Sequence, residues 1–548
     1  MHDSRVSVLS AVASAPLSSG RRVSWIRWHA ARAKAAVNAP HSRRFAHTEI
    51  PIVRTSDLDC ARPLALFHPF KVLLAVLLTV GLVGPVSASP MSVTVTITNS
   101  PGPAIPADFS GLSFGAVAEM PGHGGVPGYL FCATNRQLVT LFKNSGLHNL
   151  RLGGTTVEGT NAAVPDRVAI DNLFAFAKAA GVKVIYSLPL LNGNSATNAA
   201  TARYIWGHYQ PLLEYFALGN EPDVKRYLYP PFGMGTDPAI TNYACYLYNW
   251  RLLAAWILNV VPEAKFAGPD AAGRSWAATF AMGQAHSGMV SLITQHYYVG
   301  GRPFIGEGPE KLPVQTAIDN ILSTNWVAVK YPAFYEATLA PVQKYGLPYR
   351  LTEANDYLKG IENASDSFAT ALWALEYLHW WAARGCVGVN FHNTEWLKTD
   401  TVYFDAASQS CQINPKAYGI KAFELGSQGG VEPVAVSNPD GLNFSAYAVG
   451  DAAVLCATVI NKEHGAGARD SALTIAPAGY SFSRAEAMFL TAPTGDAGAT
   501  SGMTLGGGTI TNNAPWHGEW TPLKTGGSGQ FSLKIPATCA ALVRMTIR

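Results

Sequence analysis

The stretch Asp171–Leu188 reads DNLFAFAKAAGVKVIYSL. Its first ten residues place apolar side chains at helical spacing and stop at Gly181, a residue that ends helices because it adopts a left-handed conformation freely. The last six, Lys183–Leu188, form a short and almost continuously apolar run, as expected of a strand buried on both faces. One helix feeding one buried strand is the unit of a parallel sheet. Working outward, the same unit recurs: strand candidates stand at Gly111–Phe114, Asn149–Leu152, Lys183–Leu188, Tyr215–Leu218, Lys265–Ala267, Leu292–His296, Tyr349–Thr352 and Val387–Phe391. A long helix is predicted over Ser365–Arg384, opened by Ser and Asp and closed by Gly385. Strand and helix alternating eight times predict an α/β chain with a (β/α)8 TIM barrel over residues 101–429. The competing doubly wound sheet is not supported, because no G-x-G-x-x-G follows the first strand.

Beyond residue 430 the texture changes. Phe444–Val449, Val454–Asn461, Ala472–Ile475, Glu486–Leu490 and Phe531–Ile535 are short strands between Gly, Asn and Pro turns, which predicts an accessory all-β sandwich over 430–548. Ser92–Thr98, SVTVTIT, alternates with no helix after it, and residues 89–100 are expected to supply a strand to that sandwich.

The apolar run Val72–Val86 ends in Val-Ser-Ala before a mature start near residue 89, so residues 71–88 are read as a signal peptide, with the rival reading a membrane anchor. Residues 1–70 are Arg-rich and acid-poor, a doubtful or disordered extension. Residues 1–88 hold 11 of the 40 basic and 4 of the 36 acidic residues; the remainder carries 29 against 32, a net charge of −3, which gives no footing for a nucleic-acid partner. Six of the seven cysteines fall after the leader, an even number that permits disulfides in an exported chain, with Cys386 and Cys411 closest in sequence. No CxxC or His-rich spacing suggests a metal site, and no cofactor is expected. The localisation expected is secreted or periplasmic, with the membrane touched only in transit.

In a barrel of this kind the chemistry sits where strands end. The fourth strand runs into Gly219-Asn220-Glu221-Pro222-Asp223 and the seventh into Glu353-Ala354-Asn355-Asp356. A single carboxylate at a strand end is usually just solvated or salt-bridged. Two of them, three strands apart around one mouth, are what glycosidic cleavage needs: one to protonate the leaving oxygen, the other to support the cationic centre.

These segments carry a resemblance. Asn-Glu-Pro after strand four with Glu after strand seven resembles the clan A retaining glycoside hydrolases. Asp108–Phe114 (DFSGLSF), Leu150–Gly154 (LRLGG), Phe216–Asp223 (FALGNEPD), Gln295–Tyr298 (QHYY) and Leu351–Asp356 (LTEAND) are similar to glycoside hydrolase family 79, the β-glucuronidase and heparanase-like family. The resemblance spans nearly all of residues 92–548. It implies Glu221 as acid/base, Glu353 as nucleophile and a β-linked glucuronide or uronic-acid-containing glycan as substrate. By the same resemblance Asn220 binds the sugar 2-hydroxyl, Tyr298 hydrogen-bonds the nucleophile and Glu119 binds sugar hydroxyls. The family's grip on the uronate maps to Tyr357 and the Gly360 backbone, with Leu358 standing where the family has its Tyr. Arg151 is a candidate to hold Glu353 ionised and His296 to line the mouth, with a purely structural role the alternative for these two and for Tyr298; His392, Asn393 and Trp396 are candidates to form a subsite wall. The rival functions are a clan A exo-glycosidase for a neutral sugar and a non-catalytic carbohydrate-binding protein.

Overall fold

The computed structural model describes residues 91–548, apart from 160–164, 225–237, 286, 303–311, 394–397 and 525–528. The leader read at 71–88, the extension before it and Trp396 lie outside the described residues. All that is described belongs to one compact unit, Gly84–Arg548.

Strand β1 (Met91–Thr98) precedes a closed parallel barrel of β2 (Ser110–Gly115), β3 (Asn149–Gly153), β4 (Lys183–Leu188), β5 (Leu213–Leu218), β6 (Phe266–Ala271), β7 (Val290–Tyr298), β8 (Tyr349–Asn355) and β9 (Gly388–His392). Each expected strand is present. Around them lie α1 (Arg136–Asn144), α2 (Arg167–Ala180), α3 (Ser195–Tyr209), α4 (Pro238–Val260), α5 (Trp276–Gln284), α6 (Val314–Ile321), α7 (Tyr331–Ala337), α8 (Leu339–Gln343), α9 (Phe368–Ala382) and α10 (Lys416–Gly426). Helix α2 shows why the opening stretch is decisive. The Asp166 side chain accepts from the Ala169 amide at 2.8 Å and starts the helix, and Gly181 at φ 79° ends it. Ile170, Leu173, Phe174 and Ala177 are buried along it.

Helix α9 begins three residues later than the sequence suggests, and the reason is local. The Ser365 hydroxyl bonds the Asp356 carboxylate and accepts from the Ile361 amide, so it anchors a loop instead of capping the helix. Every residue of α9 is buried. On one side lies the barrel; on the other Lys462 reaches Glu376 at 2.7 Å and Tyr447 stacks on His379 at 5.1 Å, both contacts coming from the β domain.

After β9 a hairpin, β10 (Val402–Asp405) and β11 (Ser410–Ile413), precedes α10. The β domain then adds β12 (Gly430–Glu432), β13 (Val434–Ser437), β14 (Phe444–Gly450), β15 (Val454–Asn461), β16 (Ser471–Ala478), β17 (Phe482–Thr491), β18 (Thr504–Leu505), β19 (Thr521–Leu523), β20 (Phe531–Ile535) and β21 (Cys539–Ile547). One sheet runs β13-β1-β16-β20; the other runs β12-β14-β15-β21-β17-β18, with β19 also on β17. β1 lies parallel to β16 along its whole length, and its alternate residues Val93, Val95 and Ile97 are fully buried in a core shared with Leu455, Leu473 and Val543. Among the described residues all six cysteines carry free thiols.

Candidate active site

Three neighbouring strands break register at the barrel mouth. The irregularities fall between Pro269 and Ala271, between Gln295 and His296, and between Leu351 and Ala354. Such bulges re-aim side chains, and here the residues beside them are Asp270, His296 and Glu353. At the end of β5, Gly219 turns the chain at φ 86°, and Glu221 sits at φ 45°. For a glutamate that left-handed conformation costs about 1–3 kcal/mol and persists only where the surroundings impose it. Here the Glu221 amide donates to the Asp270 carbonyl at 2.9 Å.

Arg151, fully buried on β3, organises the site. It donates to Ser113 Oγ (3.0 Å), Glu353 Oε2 (3.0 Å), Asn220 Oδ1 (2.7 Å) and Asp270 Oδ2 (2.9 Å). Burial works against its charge, but Asp270 and Glu353 outweigh that and raise its pKa. Tyr298 donates to Glu353 Oε1 at 2.5 Å. Burial and the Glu353 charge hold its hydroxyl well above the ordinary tyrosine range, so it stays a donor. Burial alone would raise the Glu353 carboxyl; His392, His296, the Arg151 guanidinium and the Tyr298 hydrogen bond reverse this and hold it well below the usual carboxylate range. Burial lowers the pKa of His392 itself, whereas Glu353 and Glu221 raise that of His296 against burial, so His296, the fixed charge of Arg151 and the Tyr298 bond favour the ionised Glu353.

Glu221 points at the same spot from the opposite side. Its Oε1 lies 3.1 Å from His296 Nδ1, which is 3.7 Å from Glu353 Oε2. One ligand atom from each of Glu221, His296 and Glu353 falls within 4.8 Å of the others. Such a trio could ligate a cation, but Arg151 already supplies Glu353 with a positive charge at 3.0 Å, which works against a second. The buried Asn220 presents its Nδ2 with no protein acceptor among the described residues. An unpaired buried donor beside two carboxylates is a place for a ligand hydroxyl.

The structure therefore brings together Arg151, Asn220, Glu221, His296, Tyr298 and Glu353. It adds three residues the sequence reading did not place in the site: Asp270, Ser113 and Glu158. Asp270 lies three residues past the apolar KFA run, where one aspartate after one strand carries little signal. His392, suggested as a wall, instead lies 3.7 Å from Glu353.

Glu119 is buried beside the mouth, where it takes the Tyr186 hydroxyl at 3.0 Å and helps line a cavity of about 270 Å³ with Asn192 and Asn194. Burial pushes its carboxyl up to about 8, against the Tyr186 hydrogen bond. Three other candidates have different work. The Tyr357 ring packs beside Gly300 and Trp326, and its hydroxyl accepts from Asn320 at 3.2 Å. The Gly360 amide closes a turn onto the Tyr357 carbonyl at 3.2 Å. The Asn393 side chain accepts from the Thr401 amide at 2.8 Å and donates to the Val402 carbonyl. None of these polar groups is joined to the carboxylate network among the described residues.

No protein-family model matches the chain, and no curated protein matches it by sequence. Solved structures do. A 4-O-α-L-rhamnosyl-β-D-glucuronidase from Fusarium oxysporum matches with TM-score 0.59 and 18% identity, over 82% of this chain and 99% of its own. A GH51 arabinofuranosidase from Xanthomonas axonopodis pv. citri matches with TM-score 0.58 and 13% identity, over 83% and 100%. The GH39 enzyme of the same organism matches with TM-score 0.53 and 15% identity, over 84% and 98%. At these identities the likeness establishes the fold: a TIM barrel with an accessory β domain, as in clan A glycoside hydrolases.

Proposed function

We propose that the chain is a retaining β-glycosidase in which Glu353 is the nucleophile and Glu221 the acid/base. The observation that carries this is the separation of the two carboxylates. One oxygen of each lies within 4.8 Å of the other, which accords better with the roughly 5–5.5 Å carboxyl separation of retaining sites than with the about 6.5–9.5 Å of inverting ones. The environments divide the roles. Glu353 is buried, paired to Arg151 and held ionised, ready to attack the anomeric carbon. Glu221, its side chain 20% exposed against 7% for Glu353, lies where a leaving group departs. In the first step Glu221 gives its proton to the glycosidic oxygen as Glu353 forms the glycosyl ester. In the second, Glu221 takes a proton from water, and the ester is cleaved with Glu353 restored. Asn220 Nδ2 would donate to the sugar 2-hydroxyl. The likeness to solved glycosidases supports the reading by fold.

For the substrate we propose a β-linked glucuronide, on the motif resemblance and on the glucuronidase among the similar structures. A neutral sugar is the second reading, favoured by one observation: the Gly360 amide, an expected uronate donor, already donates to the Tyr357 carbonyl. Export is also proposed, on the Val72–Val86 run. A panel of aryl β-glucuronide, β-xyloside, β-galactoside and β-glucoside decides the sugar, and proton NMR of the first product formed decides the stereochemistry. Turnover with retained configuration supports the mechanism; an inverted product refutes it.

A further inference from the structure

Glu158 lies in the short turn Thr155–Glu158 that follows β3, and it is buried. Its carboxylate gathers backbone amides from two other loops of the mouth. Oε2 accepts from Leu190 (3.2 Å) and Leu191 (2.7 Å), just past β4. Oε1 accepts from the Asn220 amide (3.3 Å), one residue before the acid/base. The same oxygen packs against Gly219, where an added Cβ would lie 2.7 Å from it. So the strained turn Gly219-Asn220-Glu221 is gripped from two sides, by Glu158 on one and by the Asp270 carbonyl on the other.

We infer that Glu158 is a positioning residue that fixes the direction of Glu221 by bonding the Asn220 amide and linking that turn to the loop after β4. A carboxylate receiving three backbone N–H groups is a strong, charge-assisted anchor. A left-handed glutamate needs one, because a relaxed turn would swing its side chain. The inference rests on the reading of Glu221 as acid/base.

The consequence is specific to leaving groups. Proton donation matters for poor leaving groups and little for good ones, and general acid catalysis is worth about 10²–10⁴-fold. The variant Glu158→Gln keeps size but turns one amide-accepting oxygen into a donor. It is assayed with dinitrophenyl and plain phenyl glycosides of the sugar the wild type prefers, with Glu221→Ala in parallel. Expected for Glu158→Gln is a fall in kcat/KM of about 10-fold or more on the phenyl glycoside, and less than about 3-fold on the dinitrophenyl one, with the thermal midpoint reported alongside. An equal fall on both substrates, or no fall, overturns the inference. If Glu158→Gln does not fold, Glu158→Asp, which shortens the reach to the Asn220 amide, is read by the same criterion. Should Glu221→Ala itself show no leaving-group selectivity, the acid/base reading fails; should only Glu221→Ala show it, the reading stands and the role of Glu158 falls.

Discussion

Two arginines lie fully buried at opposite ends of one barrel, and each occupies space that only a glycine leaves free: Arg151 over Gly153 and Arg350 over Gly388. At the floor, Arg350 meets the Asp108 carboxylate and carbonyl, both at 2.9 Å, and Asn390 at 3.1 Å. Asn149 ties that group to Glu214 at 2.5 Å and to Asn390 at 2.8 Å. These partners lie at or near the ends of strands and close the barrel. At the mouth, Arg151 meets Glu353, Asp270 and Asn220, and the groups around it keep an unpaired donor, a left-handed glutamate and a carboxyl forced to ionise. Same residue type, same burial, but the mouth adds the left-handed Glu221 and a carboxyl, Glu353, held below its ordinary range, whereas at the floor burial raises Glu214. This matches the general rule that the C-terminal face of such barrels does chemistry and the N-terminal face gives stability. Perturbed groups in one cleft point to function.

The comparison can be broken. Glu353→Gln is expected to cost about 10⁴-fold or more in kcat on every sugar tested, since it removes the proposed nucleophile while keeping its shape. Its thermal midpoint should stay within a few degrees of wild type; activity near wild type would end the assignment. Next in size, Arg151→Met should lower kcat by about 10²–10³-fold, the effect of losing a preorganised charge at a reacting group. Arg350→Met should instead cost about 1–3 kcal/mol in unfolding free energy, by leaving the buried Asn390 oxygen and the partly exposed Asp108 carboxylate without their donor, and leave kcat of the folded fraction within about 3-fold. Equal losses of kcat in the two variants would erase the distinction between mouth and floor.

A smaller effect concerns pH. At the floor, burial raises Glu214 from 4.5 to about 6, with Arg350 pulling it down and Asp108 pushing it up. A carboxyl whose folded pKa is raised binds its proton more tightly in the folded state. Its contribution is therefore fully present below about 4.5 and lost as pH rises through about 6. The loss is at most about 2 kcal/mol. Thermal midpoints of wild type and Glu214→Gln across that window should converge at low pH, with the variant higher at neutral pH. The opposite slope would mean that the Arg350 attraction dominates. Smallest of all, Tyr357→Phe should remove one hydrogen bond to Asn320, cost about 1 kcal/mol in stability, and change KM for glucuronide and glucoside alike. A rise confined to the glucuronide would return Tyr357 to the uronate site.

How much of this was legible in the sequence follows from the same physics. Buried parallel strands announce themselves, so all eight barrel strands were readable from short apolar runs ending in polar residues. Glu221 and Glu353 were readable because each stands just past such a run. Strand β21 was not: Ala541, Val543 and Met545 pack into the β-domain core while Ala540 and Leu542 on its other face pack against the barrel core, so CAALVRMTI lacks the alternation that marks β1. Asp270 and Glu158 were hidden because their meaning is tertiary, one meeting an arginine three strands away and the other meeting amides of two loops. Tyr357 is a different case. The family resemblance implied a uronate role for it, and the chain turns after Asp356 and packs the ring beside Trp326.

The most direct test of the account is to trap the covalent intermediate. Wild-type protein is incubated with an activated 2-deoxy-2-fluoro β-glycoside of its preferred sugar, then weighed intact and mapped as peptides by mass spectrometry. The account predicts a gain of one fluoroglycosyl residue, carried by the peptide containing Glu353 and lost slowly as activity returns. A label on any other residue, or turnover with inversion and no label at all, would contradict it.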